Sequence, residues 1–308
     1  MTNSKVPIWR DQRFWNIAGQ LIAVFLAVII VTILWGNVNR NLRQLGIQFG
    51  FDFLKQQASF DIGETPISYK PTDSYSRALW VGLINSLRIA VAGILLTTIV
   101  GISAGIARLS DNWLVRNIAM IYVEIFRNTP LLLQLLFWYF AVFLGFPKTE
   151  NKISLWGFIG LSQNGLELPW FTLSPEFSAL LLGLTFYTGA FIAEIVRGGI
   201  QSVPKGQWEA ARSLGLKPGL VMRLVIFPQA LRVIIPPLTS QYLNLTKNSS
   251  LAIAIGFPDV YFVASTTFNQ TGKAVEVMLL IILTYLILSL TISLVMNLFN
   301  RTVQIKER

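Results

Sequence analysis

Cysteine and histidine are both absent from the 308 residues of this sequence. Without cysteine, the chain can form neither a disulfide framework nor a thiolate metal site. Without histidine, imidazole ligation of zinc or haem and catalysis by a Ser-His pair are excluded. Charge is scarce as well, since only 13% of the residues are Asp, Glu, Lys or Arg, against about 25% in soluble domains.

The phosphate-binding loop of ATPases is also missing. The one Gly-Lys pair, Gly272-Lys273, is followed by Ala274 rather than by Ser or Thr, and Thr267 stands where that loop would have its first glycine. We therefore expect no cofactor, no metal and no enzyme activity of the chain's own. If the chain works with ATP, the ATPase is a separate subunit.

Apolar residues are abundant, at 53% of the chain, and the mean hydropathy is +0.57. About 20 apolar residues suffice to cross the roughly 30 Å hydrocarbon core of a bilayer. Six apolar runs approach or exceed that length: 17–35, 79–107, 118–146, 177–195, 228–245 and 275–298. The pattern predicts an all-α integral membrane protein with six transmembrane helices.

Two of these runs are interrupted. Pro130 lies within the third, and the fifth contains prolines and amides: Pro236, Pro237, Gln241 and Asn244. Broken helices are tolerated in membranes where they are packed in protein or line a wet cavity. The short apolar run 251–257 is expected to finish the fifth span or to re-enter from outside.

The basic residues predict the orientation. The net charge is +10, and the charges fall in short pieces between the apolar runs. With both termini in the cytoplasm, the inner pieces hold more than half of the 25 basic residues. The excess of Lys and Arg on cytoplasmic loops favours this arrangement over the inverted one.

The polar, basic stretch 198–228 separates the fourth and fifth spans. It predicts two short helices, 206–214 and 219–227, with Gly215 ending the first and Pro218 near the start of the second. Ala210 and Ala211 are expected to leave one helix face bare, so that another protein's surface can approach closely.

This stretch resembles a known loop. Glu209-Ala210-Ala211, then Gly215, then 225–228 is similar to the Glu-Ala-Ala…Gly…Ile-x-Leu-Pro loop of permease subunits in binding-protein-dependent ABC importers, with Val225 and Phe227 replacing the usual Ile and Leu. In that family the loop is a cytoplasmic coupling helix that docks on the ATP-hydrolysing subunit. The resemblance implies that ATPase coupling involves these residues: Trp208, Glu209, Ala210, Ala211 and Gly215.

The resemblance also implies a domain organisation. Residues 79–300 correspond to a five-helix, MetI-like permease core, with 1–78 as an added N-terminal helix and external segment and 301–308 as a cytoplasmic tail. Residues 37–77 are similar to the general amino-acid permeases of the family. The resemblance further implies a bacterial plasma (inner) membrane location.

The third span carries an ion-pair candidate. Residues 124–134 resemble the Glu-x-x-Arg-x-Thr-Pro-Leu-Leu-x-Gln segment of polar amino-acid permeases. Glu124 and Arg127 lie three residues apart, on one helical face. Two interpretations are open: a structural ion pair near the cytoplasmic end, or a path lining to which Arg127, Thr129 and Gln134 contribute.

The fourth span ends similarly. Glu194 and Arg197 are again three residues apart, and we interpret them as a structural pair that holds the entry to the coupling loop. Tyr187, about two helical turns before Glu194, is a further candidate for the translocation path.

The fifth span is the best candidate for a substrate cavity, because it ends in a cluster of polar side chains: Gln241, Asn244, Lys247, Asn248 and Ser249. Lys247 or exposed backbone N–H groups can meet an amino acid's carboxylate, and the amide or hydroxyl oxygens its ammonium group. Some members of the family carry Asp where Asn248 stands, which favours neutral or broad specificity here. A polar turn that only caps the helix is the alternative.

These features together indicate the permease subunit of an ATP-driven amino-acid importer. Its expected partners are two ABC ATPase subunits, a second permease subunit of the same or a similar kind, an external amino-acid-binding protein and the lipid bilayer, and no nucleic acid. Two alternatives remain: a secondary transporter, which would need a titratable pair near mid-membrane, and a membrane enzyme, for which the chain lacks His, Cys and a tight carboxylate cluster.

Overall fold

The fold is that of a computed structural model, which describes residues 12–44, 46, 49–155 and 159–303. The first eleven residues and most of the predicted tail 301–308 lie outside the described residues. The chain forms two compact units, Met1–Phe51 and Asp52–Arg308.

The first unit is built on one helix, α1 (Gln12–Gln44). It contains the predicted first span, and its apolar side chains are exposed all round, as Leu21 and Phe25 show at 65% each. A helix of 33 residues is about 50 Å long, which is more than the thickness of the hydrocarbon core.

Within the described residues, five helical segments are long and apolar enough to cross a membrane: Phe14–Asn41, Tyr75–Ala107, Pro175–Gln201, Pro218–Ile255 and Ala274–Val303. A sixth results if the bent pair Trp113–Asn128 and Leu131–Phe143 counts as one span. In the second unit, the unbroken spans are α2 (Tyr75–Ala107), α5 (Pro175–Gln201) and α10 (Ala274–Val303). The prediction of an all-α membrane protein is confirmed.

The third predicted span is not one kinked helix but two helices at an angle of 107°. These are α3 (Trp113–Asn128) and α4 (Leu131–Leu136), which continues as a π-helical segment, Phe137–Phe143. Thr129 is extended between them, as the residue before a proline prefers. Pro130 predicted the break, but not how sharply the chain would turn.

The fifth span is assembled from several pieces. A short helix α7 (Pro218–Leu220) runs through a π-helical turn, Val221–Ile226, into α8 (Phe227–Asn248), and a 3-10 turn, Ser249–Ile255, follows directly. Of the two alternatives for the run 251–257, the first holds for 251–255, which finish this span, and Gly256 ends it. The next helix, α9 (Val260–Thr271), is too short to cross a membrane and was not predicted from the sequence.

Glycines let α2 and α5 approach each other closely. A Cβ added at Gly101 would lie 2.5 Å from Ile192 Cγ2, and one added at Gly105 would lie 2.7 Å from Val196 Cβ. Such distances are too short for any side chain, so only glycine permits this packing. Small residues at helix contacts are typical of membrane proteins, and this contact forms the centre of the second unit.

The loop before α5 contains a small sheet that the sequence did not predict. Its strands are antiparallel and neighbours in chain order: β1 (Ile153–Leu155), β2 (Ile159–Ser162), β3 (Gly165–Leu168) and β4 (Phe171–Leu173). Lys152 Nζ lies 2.5 Å from Glu167 Oε2, and its hydrogen bond holds the pKa of the Glu167 carboxyl below its usual value. The strands have three or four residues each, too few for an alternating pattern to stand out.

Candidate coupling loop and translocation path

The loop between α5 and α8 contains a helix where the sequence predicts one. Helix α6 (Lys205–Ser213) nearly coincides with the predicted 206–214. Gly215 follows it with φ 72°, a left-handed conformation that favours glycine, and its N–H donates to Arg212 O at 2.9 Å. The prediction that Gly215 ends the helix is confirmed.

One side of α6 is attached to the membrane-spanning core. Ala211 is only 3% exposed, and Trp208 and Leu216 are partly buried against the same apolar cluster, which includes Val221 and Ile226. The expected bare face therefore holds for Ala210, which is exposed, but is wrong for Ala211. Ala211 lies three residues after Trp208, on the side of the helix that faces the core.

The other side of α6 faces away from the core. Glu209, Ala210 and Arg212 are all exposed, and Leu214, in the turn after the helix, is 80% exposed. Glu209 makes no ion pair within the described residues. Helix α6 is thus packed on the core along one side, and on its other side it and the turn that follows expose charged and apolar side chains.

Near the C-terminal end of α5, Glu194 is the centre of an ionic cluster. Its carboxylate accepts hydrogen bonds from Arg197, with Nε at 3.0 Å from Oε1, and from Arg108 Nη1. Arg197 Nη1 also donates to Gln201 Oε1 at 2.5 Å. The predicted Glu194–Arg197 pair is confirmed, but no local pattern indicated that Arg108, the C-cap of α2, completes the cluster.

Glu124 and Arg127, by contrast, do not form the structural ion pair that their spacing suggests. Glu124 Oε2 accepts a hydrogen bond from Asn128 Nδ2 at 3.0 Å, one helical turn away. The Arg127 guanidinium lies over the Phe191 ring, 5.2 Å from its centroid. A cation over an aromatic face is an alternative to a carboxylate partner. Through this contact Arg127, on α3, packs against Phe191, on α5.

Gln134 and Thr129 lie at the break between α3 and α4. Gln134 is 6% exposed, and its Nε2 donates to Phe126 O and Thr129 O, both at 2.9 Å. The side chain thus binds carbonyl groups that the break deprives of helical partners. A cavity of about 360 Å³ adjoins this point, with mostly apolar walls: Ile125, Phe126, Thr129, Leu133, Gln134, Phe137 and Trp138.

Tyr187 lies apart from this cavity. Its ring is partly buried in α5 and contacts Phe191, with centroids 5.0 Å apart. The same Phe191 ring also contacts the Arg127 guanidinium. Tyr187 and Arg127 therefore both contact the Phe191 ring, although they are 60 residues apart in the sequence.

Helix α8 has a polar exposed side near its end. Asn244 and Lys247 are exposed, Gln241 and Asn248 are partly buried, and Ser240 extends the exposed side one turn further back. Ser249 is different from the rest of the predicted cluster, because it is 1% exposed and its hydroxyl donates to Thr246 O at 2.8 Å. It caps the helix end instead of facing open space.

Glu64, in the segment before α2, connects three parts of the second unit. Its Oε1 lies 2.6 Å from Arg88 Nη1 in α2, and its Oε2 accepts from Ser174 Oγ, the N-cap of α5, at 2.6 Å. Asn85 Nδ2 donates both to Glu64 O and to Pro258 O. Sequence reasoning missed this cluster, because its members are far apart in the chain.

Asp259 is a second polar group that sequence reasoning missed. It is 0% exposed, its Oδ1 accepts from Phe262 N at 2.8 Å and its Oδ2 accepts from Tyr285 Oη at 3.2 Å. The residue caps the N-terminus of α9. An aspartate directly before an apolar run is a helix-start signal that could have predicted α9.

The comparisons with known proteins agree with this architecture. Residues 78–305 match the family model described as binding-protein-dependent transport system inner membrane component. The chain belongs to this family of ABC importer permeases, and it is a multi-pass membrane protein that works with ATPase and binding-protein partners.

Several relatives match along nearly their whole length. The Escherichia coli K12 protein YhdX, named as an amino-acid ABC transporter permease, is 42% identical over 94% of both chains. The general L-amino acid transport system permease protein AapQ of Rhizobium johnstonii is 38% identical, over 97% of this chain and 94% of its own. Among solved structures, an amino acid ABC transporter is 31% identical with a TM-score of 0.59, covering 74% of this chain and 95% of its own.

Proposed function

We propose that this chain is the permease subunit of an ATP-driven amino-acid importer, in which it forms the translocation path and couples it to separate ATPase subunits. The names of YhdX and AapQ support amino acids as the substrate class. The observation that carries the coupling role is helix α6, whose buried base packs on the core and whose opposite side is exposed, polar and charged.

The loop defines the orientation of the proposed complex. Its exposed basic residues, Lys205, Arg212 and Lys217, belong on the cytoplasmic side of the bacterial inner membrane. Both termini then lie in the cytoplasm, and the small sheet and the Glu64 cluster lie outside. The binding protein delivers substrate at that outer end, and ATP binding and hydrolysis act on α6 from below.

A second permease subunit, identical or similar, completes the path. Lys247 is an exposed cation on a membrane-spanning segment, and a charge in hydrocarbon costs about 2.5–3.5 kcal/mol on insertion scales. Water or protein must therefore cover this side of α8. A pair of subunits that face each other across a wet path provides both.

The polar side of α8 also supports the proposed substrate. Lys247 supplies a cation for the amino acid's carboxylate, and the amide oxygens of Gln241 and Asn244 supply acceptors for its ammonium group. Asn248 adds no charge at this point, which favours neutral and polar amino acids or a broad range. Arg127, Thr129, Gln134 and Tyr187 are assigned to the inner part of the path.

The test is uptake by proteoliposomes that contain the full complex, with ATP inside, and binding protein and a labelled amino acid outside. We expect uptake that requires ATP and falls when unlabelled neutral or polar amino acids compete. Lys247→Ala is expected to lower uptake without lowering the yield of assembled complex. Uptake that persists in liposomes holding the permease alone, driven by an ion gradient, would instead establish a secondary transporter.

A further inference from the structure

Leu214 is an apolar side chain in an unexpected place. Among the large apolar residues that the structure describes, only Trp170 is more exposed than Leu214, at 88% against 80%. The other highly exposed leucines, such as Leu290 and Leu294 at 61% each, lie on the membrane-spanning helix α10, where lipid can cover them. Leu214 lies in the polar loop, beyond the end of any span.

The backbone holds Leu214 in one position. Its N–H donates to Ala210 O at 3.2 Å, and the N–H groups that follow are also used, Gly215 N to Arg212 O and Leu216 N to Ala211 O. Leu216 returns to the apolar cluster at the base of the loop. The backbone at Leu214 is therefore held between Ala211 and Leu216, which are both packed on the apolar cluster. Binding of a partner to Leu214 would then cost little backbone conformational entropy.

The exposed residues around Leu214 are small or basic. Ala210 is exposed one helical turn earlier, and an added Cβ at Gly206 would meet nothing within 4 Å. Leu214 thus projects beyond a flat helix side. Arg212 and Lys217, on either side of it in sequence, are exposed and make no ion pair within the described residues.

We infer that Leu214 is the apolar anchor by which this loop docks on the ATPase subunit, and that its docking pocket is apolar with an acidic rim facing Arg212 and Lys217. The inference rests on the proposed function, since it names the chemistry of the coupling contact. A rigid apolar side chain in a desolvated pocket, ringed by charges that steer the approach, is how tight protein contacts are usually built. Trp208 and Ala211 act as the base of the loop and not as its contact surface.

The test is retention of the ATPase on purified, affinity-tagged permease in lipid nanodiscs. Leu214→Asp is expected to lower the apparent affinity for the ATPase at least about tenfold, and Leu214→Ala by on the order of tenfold. Leu214→Met, which keeps an apolar side chain of similar volume, should stay within about twofold of the parent protein. Leu294→Ala, at a leucine that is 61% exposed on a membrane-spanning helix, is the control and should retain the ATPase fully.

The charged rim has a separate readout. Replacing Arg212 and Lys217 by Ala is expected to slow association and to weaken its dependence on salt. If the parent permease retains no ATPase, the proposed function itself fails. If the parent retains it and Leu214→Asp retains it equally, the anchor role is wrong, as it also is if Leu214→Asp only lowers the amount of permease in the membrane.

Discussion

Glu194 shows how a single residue connects the helix ends next to α6. Its carboxylate joins Arg197 on its own helix to Arg108 at the end of α2. Side-chain exposure is 27% for Glu194 and 16% for Arg108, so that solvent screens the contact only in part. Because α5 leads directly into the loop that contains α6, we propose that this carboxylate fixes the point at which force from α6 enters the membrane-spanning helices.

We predict that Glu194→Gln destabilises the protein by about 1–3 kcal/mol, because it leaves two guanidinium groups without their carboxylate partner. The midpoint of thermal unfolding in detergent should fall accordingly. Glu150→Gln, at an exposed site on the loop before α5, is the matched control and should leave the midpoint unchanged. Equal midpoints for both variants would show that the Glu194 carboxylate does not stabilise the folded protein.

Residue pairs close in sequence were only partly predictable. The i, i+3 spacing correctly paired Glu194 with Arg197, yet the same spacing wrongly paired Glu124 with Arg127. Spacing fixes which side chains share a helix face, but it says nothing about Phe191, which lies on another helix and takes the Arg127 guanidinium. Long-range partners such as Arg108 and Glu64 follow from tertiary packing, which no local pattern encodes.

At the scale of elements, the apolar runs predicted the helices well and the irregular parts poorly. The predicted end of the second span at residue 107 coincides with the end of α2, because a charged turn follows at once. The small sheet before α5 and helix α9 were missed, since each is short and carries a mixed pattern. The 107° turn at Pro130 depends on what each half packs against, which the proline alone does not reveal.

Gly215 is the clearest test of an element boundary. We predict that Gly215→Val weakens ATPase retention, because a β-branched residue at φ 72° strains the turn by about 1–2 kcal/mol and shifts the end of α6. Gly215→Asn should remain near the parent protein, since asparagine tolerates this conformation. Retention of the ATPase per permease, measured in nanodiscs, separates the two variants.

The control for this pair is Gly219→Val, at an exposed helical glycine where an added Cβ meets nothing within 4 Å. It introduces the same side chain without the left-handed backbone, so that it should retain the ATPase. A loss of retention with Gly219→Val as large as with Gly215→Val would mean that bulk, and not the backbone conformation, disturbs the loop.

For the whole molecule, the decisive property is which side of the membrane each end of the second unit faces. The loop that contains α6 and the small sheet are joined by α5, a 27-residue helix that is long enough to cross the bilayer. If α5 spans the membrane, the two lie on opposite sides. An ATPase can act only on the side that holds ATP, so that the proposed function requires α6 to face the cytoplasm.

The absence of cysteine makes this requirement directly measurable, because single cysteines can be introduced without background. We predict that a membrane-impermeant maleimide labels Trp170→Cys in intact cells, and labels Ser213→Cys only after the membrane is permeabilised. Both positions are exposed, so that only sidedness separates them. Ala252→Cys, at a position that is 0% exposed, controls for labelling of unfolded chains and should stay unlabelled. Labelling of Ser213→Cys in intact cells would put α6 outside, where no ATP is available, and would exclude coupling through this loop.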